Sequence, residues 1–331
     1  MTAVTFWFFG GLCRPVEAQS AFDLNLPDPA RLAVESGDWL TADGLFRARA
    51  LQGDPIAMVN LGRMHWLGLG RAPSPGIACD WFERAASKGL SRAYLDLGGC
   101  FAIGRGRAAS GLEAMAWYRR AIAAGQVAGL CALGGLYLQG RADVPTDPER
   151  GAQLCLEGAR KGDDAAKVLG AQVLTAGIGV PANAAMALDL LEQAATAGRA
   201  DAQFLLGRAR LNGLGGLLPV DDLAAEWFAR SARQGYGPAQ LALGTYFADN
   251  RAVEENNQRR VKAYEARRAY FWLGLVQRLQ PGSAAAARAE VIQAEVEADV
   301  SPAQRQNILE EISRWQPLGS IDDLGLELPE G

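Results

Sequence analysis

The chain has 331 residues, 49% of them hydrophobic and 21% charged, with a net charge of −4. That length is more than one ordinary globular core holds, so two domains or one extended array are expected, and the hydrophobic share excludes a disordered chain. Basic residues are scattered and not gathered on one face, which argues against a nucleic-acid partner. The 39 glycines, many alanines and 15 prolines point to short close-packed helices and exclude a long coiled coil.

In chain order, the first feature is an apolar run, Ala3 to Leu12 (AVTFWFFGGL). It is too short to span a bilayer and about right for the apolar region of a signal peptide. Val16-Glu17-Ala18 sets small residues at −3 and −1 of a cleavage after Ala18, which defines residues 1–18 as a signal peptide and 19–27 as a linker. No Lys or Arg precedes the run and Arg14-Pro15 interrupts the cleavage region, so an apolar tail or a mis-chosen start codon is the competing reading. Leu12 before Cys13 speaks against a lipoprotein. The expected location is therefore periplasmic or secreted, with cytoplasmic as the alternative and no stable membrane span after cleavage.

Residues 28–56 read as a capping hairpin, with Pro29 to Glu35 and Trp39 to Leu51 as its helices. Beyond it two strings alternate. The first is an aromatic or aliphatic pair, a small pair, then Gly: Trp81-Phe82 with Ala85-Ala86 and Gly89. Trp117-Tyr118 with Ala121 and Gly125, Leu190-Leu191 with Ala194-Ala195 and Gly198, and Trp227-Phe228 with Ser231-Ala232 and Gly235 repeat it. Leu154-Cys155 and Leu45-Phe46 open weaker copies. The second string is Ala57, Leu61-Gly62, His65, Gly68 and Gly70, matched by Ala93, Leu97-Gly98, Phe101, Gly104 and Gly106. Copies follow from Gly129, Ala166, Ala202 and Ala239. Positions i, i+3, i+4 and i+7 share one helix face. The aromatic pair therefore lies beside a small pair, and Leu-Gly supplies an anchor beside a notch for a neighbouring helix. One such hairpin cannot bury its apolar face alone, and stacking buries it.

This pattern resembles the Sel-one-like repeat (SLR), a relative of the tetratricopeptide repeat, over about residues 38 to 315. The resemblance implies an all-α fold: a right-handed α-α superhelical solenoid of about six Sel-one-like helix-turn-helix repeats with N- and C-terminal capping helices. The array is expected over 57–280 and C-terminal capping helices over 281–315, with an acidic flexible tail at 316–331. The sixth repeat is irregular. Asn250 replaces a loop glycine, the polar stretch 250–260 widens the loop, and Lys262 to Leu279 forms the second helix.

No residue set carries catalysis, a metal or a cofactor. The single histidine, His65, stands where the family usually has Tyr and reads as packed, and one His supports neither a triad nor a His-based metal site. No Ser-x-x-Lys pair occurs. Gly68-Leu69-Gly70 and Gly213-Leu214-Gly215 lack the following Gly-Lys-Ser/Thr of a phosphate loop and read as turns. The tryptophans recur at a helix-packing position and read as core. Arg259-Arg260 and Arg267-Arg268 form the densest basic stretch, a solvated face or an anionic docking patch.

Removal of Cys13 leaves Cys79, Cys100, Cys131 and Cys155. Cys79 and Cys100 are level across the Gly89-Leu90 turn, and Cys131 and Cys155 across the loop from Gly140 to Pro148. Two disulfides in these pairings, or four buried thiols, both fit. In the resembling family the variable side chains of the first helices line the concave surface. The candidate partner-binding residues are therefore Asn60, Arg63, Arg92, Asp96, Gln172, Gln203, Arg208 and Gln240. The expected function is a non-enzymatic scaffold or adaptor for protein partners in the bacterial envelope, serving signalling regulation, exopolysaccharide export or assembly. Binding of cell-wall glycan or other polysaccharide is the alternative, and a hydrolase the remote one.

Overall fold

A computed structural model describes residues 28–140, 143–216, 221–250, 252–255 and 258–317. The segments expected as signal peptide (1–18) and linker (19–27), and residues 318–331 of the expected acidic tail, lie outside them. The chain is a helical-repeat solenoid whose helices pack on their neighbours in sequence, and it divides into two compact units, Met1–Asn183 and Ala184–Gly331.

Unit 1 contains α1 (Asp28–Glu35), α2 (Trp39–Leu51), α3 (Pro55–Leu67), α4 (Pro75–Ser87), α5 (Ser91–Ile103), α6 (Gly111–Ala123), α7 (Ala128–Gln139), α8 (Pro148–Arg160) and α9 (Asp164–Ala176). Unit 2 contains α10 (Ala184–Thr196), α11 (Ala200–Leu211), α12 (Asp221–Arg233), α13 (Gly237–Asn250), α14 (Ala263–Leu279), α15 (Ala284–Glu297) and α16 (Pro302–Arg314). Helix starts follow local chemistry. Asp54, Ser110, Asp147 and Asp163 each accept a first-turn backbone N–H, and Pro55, Pro75 and Pro148 occupy first-turn positions whose N–H has no intrahelical partner. Ser301 and Gln304 form a reciprocal capping box at α16.

The notch expected beside each Leu is the central packing device. A Cβ on Gly62 would lie 2.5 Å from the Phe82 ring, one on Gly98 2.5 Å from Tyr118, and one on Gly207 2.7 Å from Phe228. The second aromatic of each pair thus drops onto bare backbone of the facing helix. Phe82, Tyr118 and Phe228 are all buried there.

A second device fastens each loop to the repeat before it. The backbone at Gly106 and Gly179, both at positive φ, sits against the first residues of α4 and α8, where any side chain would strike the Pro75 and Pro148 backbone. The third loop reads Gly140-Arg141-Ala142 and lacks that second glycine. Asp143 takes over: its carboxylate accepts from Gly111 N–H at 2.9 Å, Leu112 N–H at 3.1 Å and Ser110 Oγ at 3.1 Å. These donors, Leu112 foremost, hold its carboxyl below the usual aspartate range, and the anion lies at the positive end of α6.

The irregular sixth loop is not simply wider. It carries an antiparallel ribbon, β1 (Ala252–Glu255) with β2 (Gln258–Val261), from Ala252 opposite Val261 to Glu255 opposite Gln258. Only Asn256 and Asn257 separate the strands in sequence. The all-α expectation misses this element because its composition is polar and its strands are short.

Candidate interaction surface

In unit 1, consecutive first helices are joined sideways. Arg63 of α3 pairs with Asp96 of α5 at 2.8 Å, with both side chains largely covered. Gln126 donates to Ser91 Oγ at 2.8 Å. Arg92 and Gln172 are half-buried. In unit 2, Arg208 is exposed, its guanidinium 5.9 Å from the Phe204 ring.

Three of the expected contact residues are not at the surface. Asn60 and Gln240 are 0% exposed and Gln203 is 1% exposed. The glutamines follow the repeat alanine and reach back eight residues. Gln203 Nε2 donates to Ala195 O and Gln240 Nε2 to Ala232 O, each at 3.2 Å. Both acceptors lie in the last turn of the preceding helix, where carbonyls have no intrahelical donor. Gln203 also accepts from Gln234 at 2.7 Å. These amides close helix ends. The polar display left on the first helices is the Arg63–Asp96 pair, Arg92, Gln172 and Arg208.

The aromatics are covered as well. Arg84, Arg120 and Arg230 lay their guanidiniums over Trp81, Trp117 and Trp227 at 4.7, 4.5 and 4.6 Å. Among the described residues Tyr264 is the exposed aromatic, and Arg268 lies 5.1 Å from its ring.

The structure joins Cys79 to Cys100 and Cys131 to Cys155, with Cα atoms 6.1 and 4.2 Å apart. The first pair ties the second helix of one repeat to the first helix of the next. The second ties the two helices of one repeat, with Cys155 standing where the neighbouring repeats put Phe82 or Tyr118.

His65 is buried, with Nε2 3.5 Å from Arg71 Nη1 and Nδ1 without a hydrogen-bond partner. Arg71 and Arg47 both pair with Asp43, the latter at 3.3 Å. Burial first, then the charges of Arg71 and Arg47, hold the imidazole below its usual value of 6.5, against the opposing pull of Asp43. A depressed folded value means that the unfolded chain takes up the proton first. The stability contributed by neutral His65 is complete above pH 6.5 and is lost as pH falls from there through the folded value. Denaturant unfolding between pH 7 and pH 5 is expected to show this loss, at a slope of up to about 1.4 kcal/mol per pH unit, and His65→Tyr to remove that part of the slope. An identical pH profile in His65→Tyr would refute the assignment.

Among the described residues no group of three or more His, Cys, Asp or Glu is arranged to hold a metal, and no helix is long and apolar enough to cross a membrane.

Five segments, residues 55–90, 91–126, 127–163, 164–198 and 200–236, match the model of the Sel1 repeat. The chain belongs to the Sel1 repeat family, whose members are in general scaffolds for protein–protein interaction. A Sel1 repeat protein from Oxalobacter formigenes is 25% identical, with 76% of this chain and 99% of that one covered and a TM-score of 0.57. A protective antigen of uropathogenic Escherichia coli with an SLR fold is 24% identical at a TM-score of 0.57. That match covers 82% of this chain but 55% of the antigen, so the chain spans about half the antigen's length and the likeness is one of fold alone. No curated protein matches the sequence.

Proposed function

We propose that the chain is a non-enzymatic scaffold or adaptor that holds protein partners in the bacterial cell envelope. One observation carries the reading: the side chains most suited to chemistry are committed to packing. His65 is buried, the four described cysteines are paired, and buried amides close helix ends. What remains on the first helices is a sparse polar display around Arg63–Asp96, Arg92, Gln172 and Arg208, suited to recognition. The envelope location is supported by the apolar run Ala3 to Leu12 and by the cysteine pairing, since an oxidising compartment keeps such bridges closed. The glycan reading draws no support from exposed aromatic platforms.

The protein from its native host is expected to begin at Gln19, which intact-mass measurement reads directly. A chain retaining Met1 in the cytosolic fraction would exclude export. Tagged protein captured from that host's envelope is expected to bring down a protein that binds again when both are purified, and more weakly to Arg208→Glu or to the Arg63→Ala/Asp96→Ala double variant. Retention on isolated cell-wall glycan without any such protein would replace the scaffold reading with the glycan one. Turnover in a broad hydrolase screen would overturn both.

A further inference from the structure

In unit 1, helix α2 is apolar on both of its sides. Ala42, Phe46 and Ala50 face inward and are buried. The outer side carries Leu40, Thr41, Gly44, Arg47, Ala48 and Leu51, all of them exposed. Leu40 is 81% and Leu51 73% exposed, the highest values of any large apolar side chain among the described residues. A helix that is apolar all round is ordinarily covered on both sides.

The later second helices solve the same problem with charge. Counted from the buried aromatic, α4 sets Asp80, Glu83 and Arg84 where α2 has Gly44, Arg47 and Ala48, and α6 sets Glu113, Arg119 and Arg120 where α2 has Thr41, Arg47 and Ala48. All six are exposed. The outer side of α2 keeps a single charge, and Arg47 pairs with Asp43 of its own helix at 3.3 Å.

The spacing on this face matches itself. Leu40 and Leu51 lie three turns apart, about 17 Å along the axis, and are equidistant from the midpoint between Gly44 and Arg47. Laid antiparallel on a copy of itself about that midpoint, the helix sets each Leu40 against Leu51 of the second copy and each Arg47 over Gly44 of the second copy. A Cβ on Gly44 would meet nothing within 4 Å, so the face is hollow where the long side chain arrives. A parallel pairing in register would instead bring the two Arg47 guanidiniums together. A patch that matches itself under two-fold rotation is what an isologous contact requires.

We propose that two copies of the chain associate through the outer face of α2, antiparallel about a two-fold axis between Gly44 and Arg47. Such a dimer presents the interaction surface twice, a consequence that rests on the scaffold reading above. One helix pair covers less than the roughly 800 Å² per partner of a standard interface, so the association is weak.

The test uses the full chain and no partner, so its outcome is separate from that of the scaffold reading. Sedimentation velocity from about 1 to about 300 μM is expected to show a monomer passing into a dimer. Leu40→Lys and Leu51→Glu, both at exposed positions, should each weaken association by about tenfold or more, since each sets an unpaired charge against leucine. An equimolar mixture of the two variants should recover it: one contact then joins the new ammonium to the new carboxylate, and the other keeps its two leucines. Circular dichroism checks that each variant keeps its helices. A monomer at every concentration, association indifferent to either change, or a mixture no tighter than the single variants would overturn the proposal.

Discussion

Replacing Cys79, Cys100, Cys131 and Cys155 by alanine is expected to cost unit 1 about 6 kcal/mol. The bridges close loops of 21 and 24 residues. Restricting the unfolded chain over such a loop stabilises the fold by about 3 kcal/mol each in the chain-entropy account. Each bridge also fixes a helix contact on which the next hairpin stacks, and a solenoid has only such neighbour contacts to rely on. The four sulfur-bearing residues are all buried, so a reductant acts on the native protein only as fast as the helices open. Denaturant unfolding with and without reductant reads the loss, and hydrogen exchange should locate it in α4 to α8. Non-reduced peptide mapping decides the pairing. A linked Cys79–Cys131 peptide, or four freely alkylated thiols in protein from the native host, would remove the basis of the prediction.

Phe82→Ala is expected to cost about 3–5 kcal/mol, because its ring fills a closed space against Gly62 and leaves a cavity that backbone cannot close. Trp227→Ala should cost roughly half as much: the indole is half-buried, and the Arg230 guanidinium covers its outer face. The reverse change tests the same contact. Gly62→Ala forces the Phe82 ring to move and should cost about 1–3 kcal/mol. In a Phe82→Ala background most of that cost should disappear, giving a coupling well above the ~0.5 kcal/mol scatter of independent sites. Equal losses for Phe82→Ala and Trp227→Ala, or strict additivity of Gly62→Ala with Phe82→Ala, would overturn the assignment of the second aromatic as the main packing residue.

The contrast between the two aromatics marks where sequence reading stops. The pair Trp227-Phe228 has a helix-facing spacing in both members, so both read as core. The three-residue offset that lets Arg230 cover one ring is visible in sequence, but the depth of each ring is not. The cysteine pairs were legible as one of two options, because residues equidistant from a turn lie level across a hairpin. Which option holds depended on whether the two Cα atoms face each other. Gln203 and Gln240 illustrate the opposite failure. Their helical position marks a face, but whether that face meets solvent or the carbonyl end of the previous helix is set by the stacking angle of the neighbouring hairpin.

By itself the sequence determined the repeat and its packing alphabet. Every hairpin must bury the same stripe against the same kind of neighbour, so the Leu-Gly notch and the aromatic that enters it recur at fixed spacing. The tertiary structure alone decided what happens where a repeat departs from that rule. Asp143 fastens a loop that lacks its glycine, and a β-ribbon fills the sixth loop. The reason is one of range: packing that repeats with each hairpin is written in local periodicity, whereas the partner of a single irregular side chain is supplied by another segment, and only the stacked helices fix which one it meets.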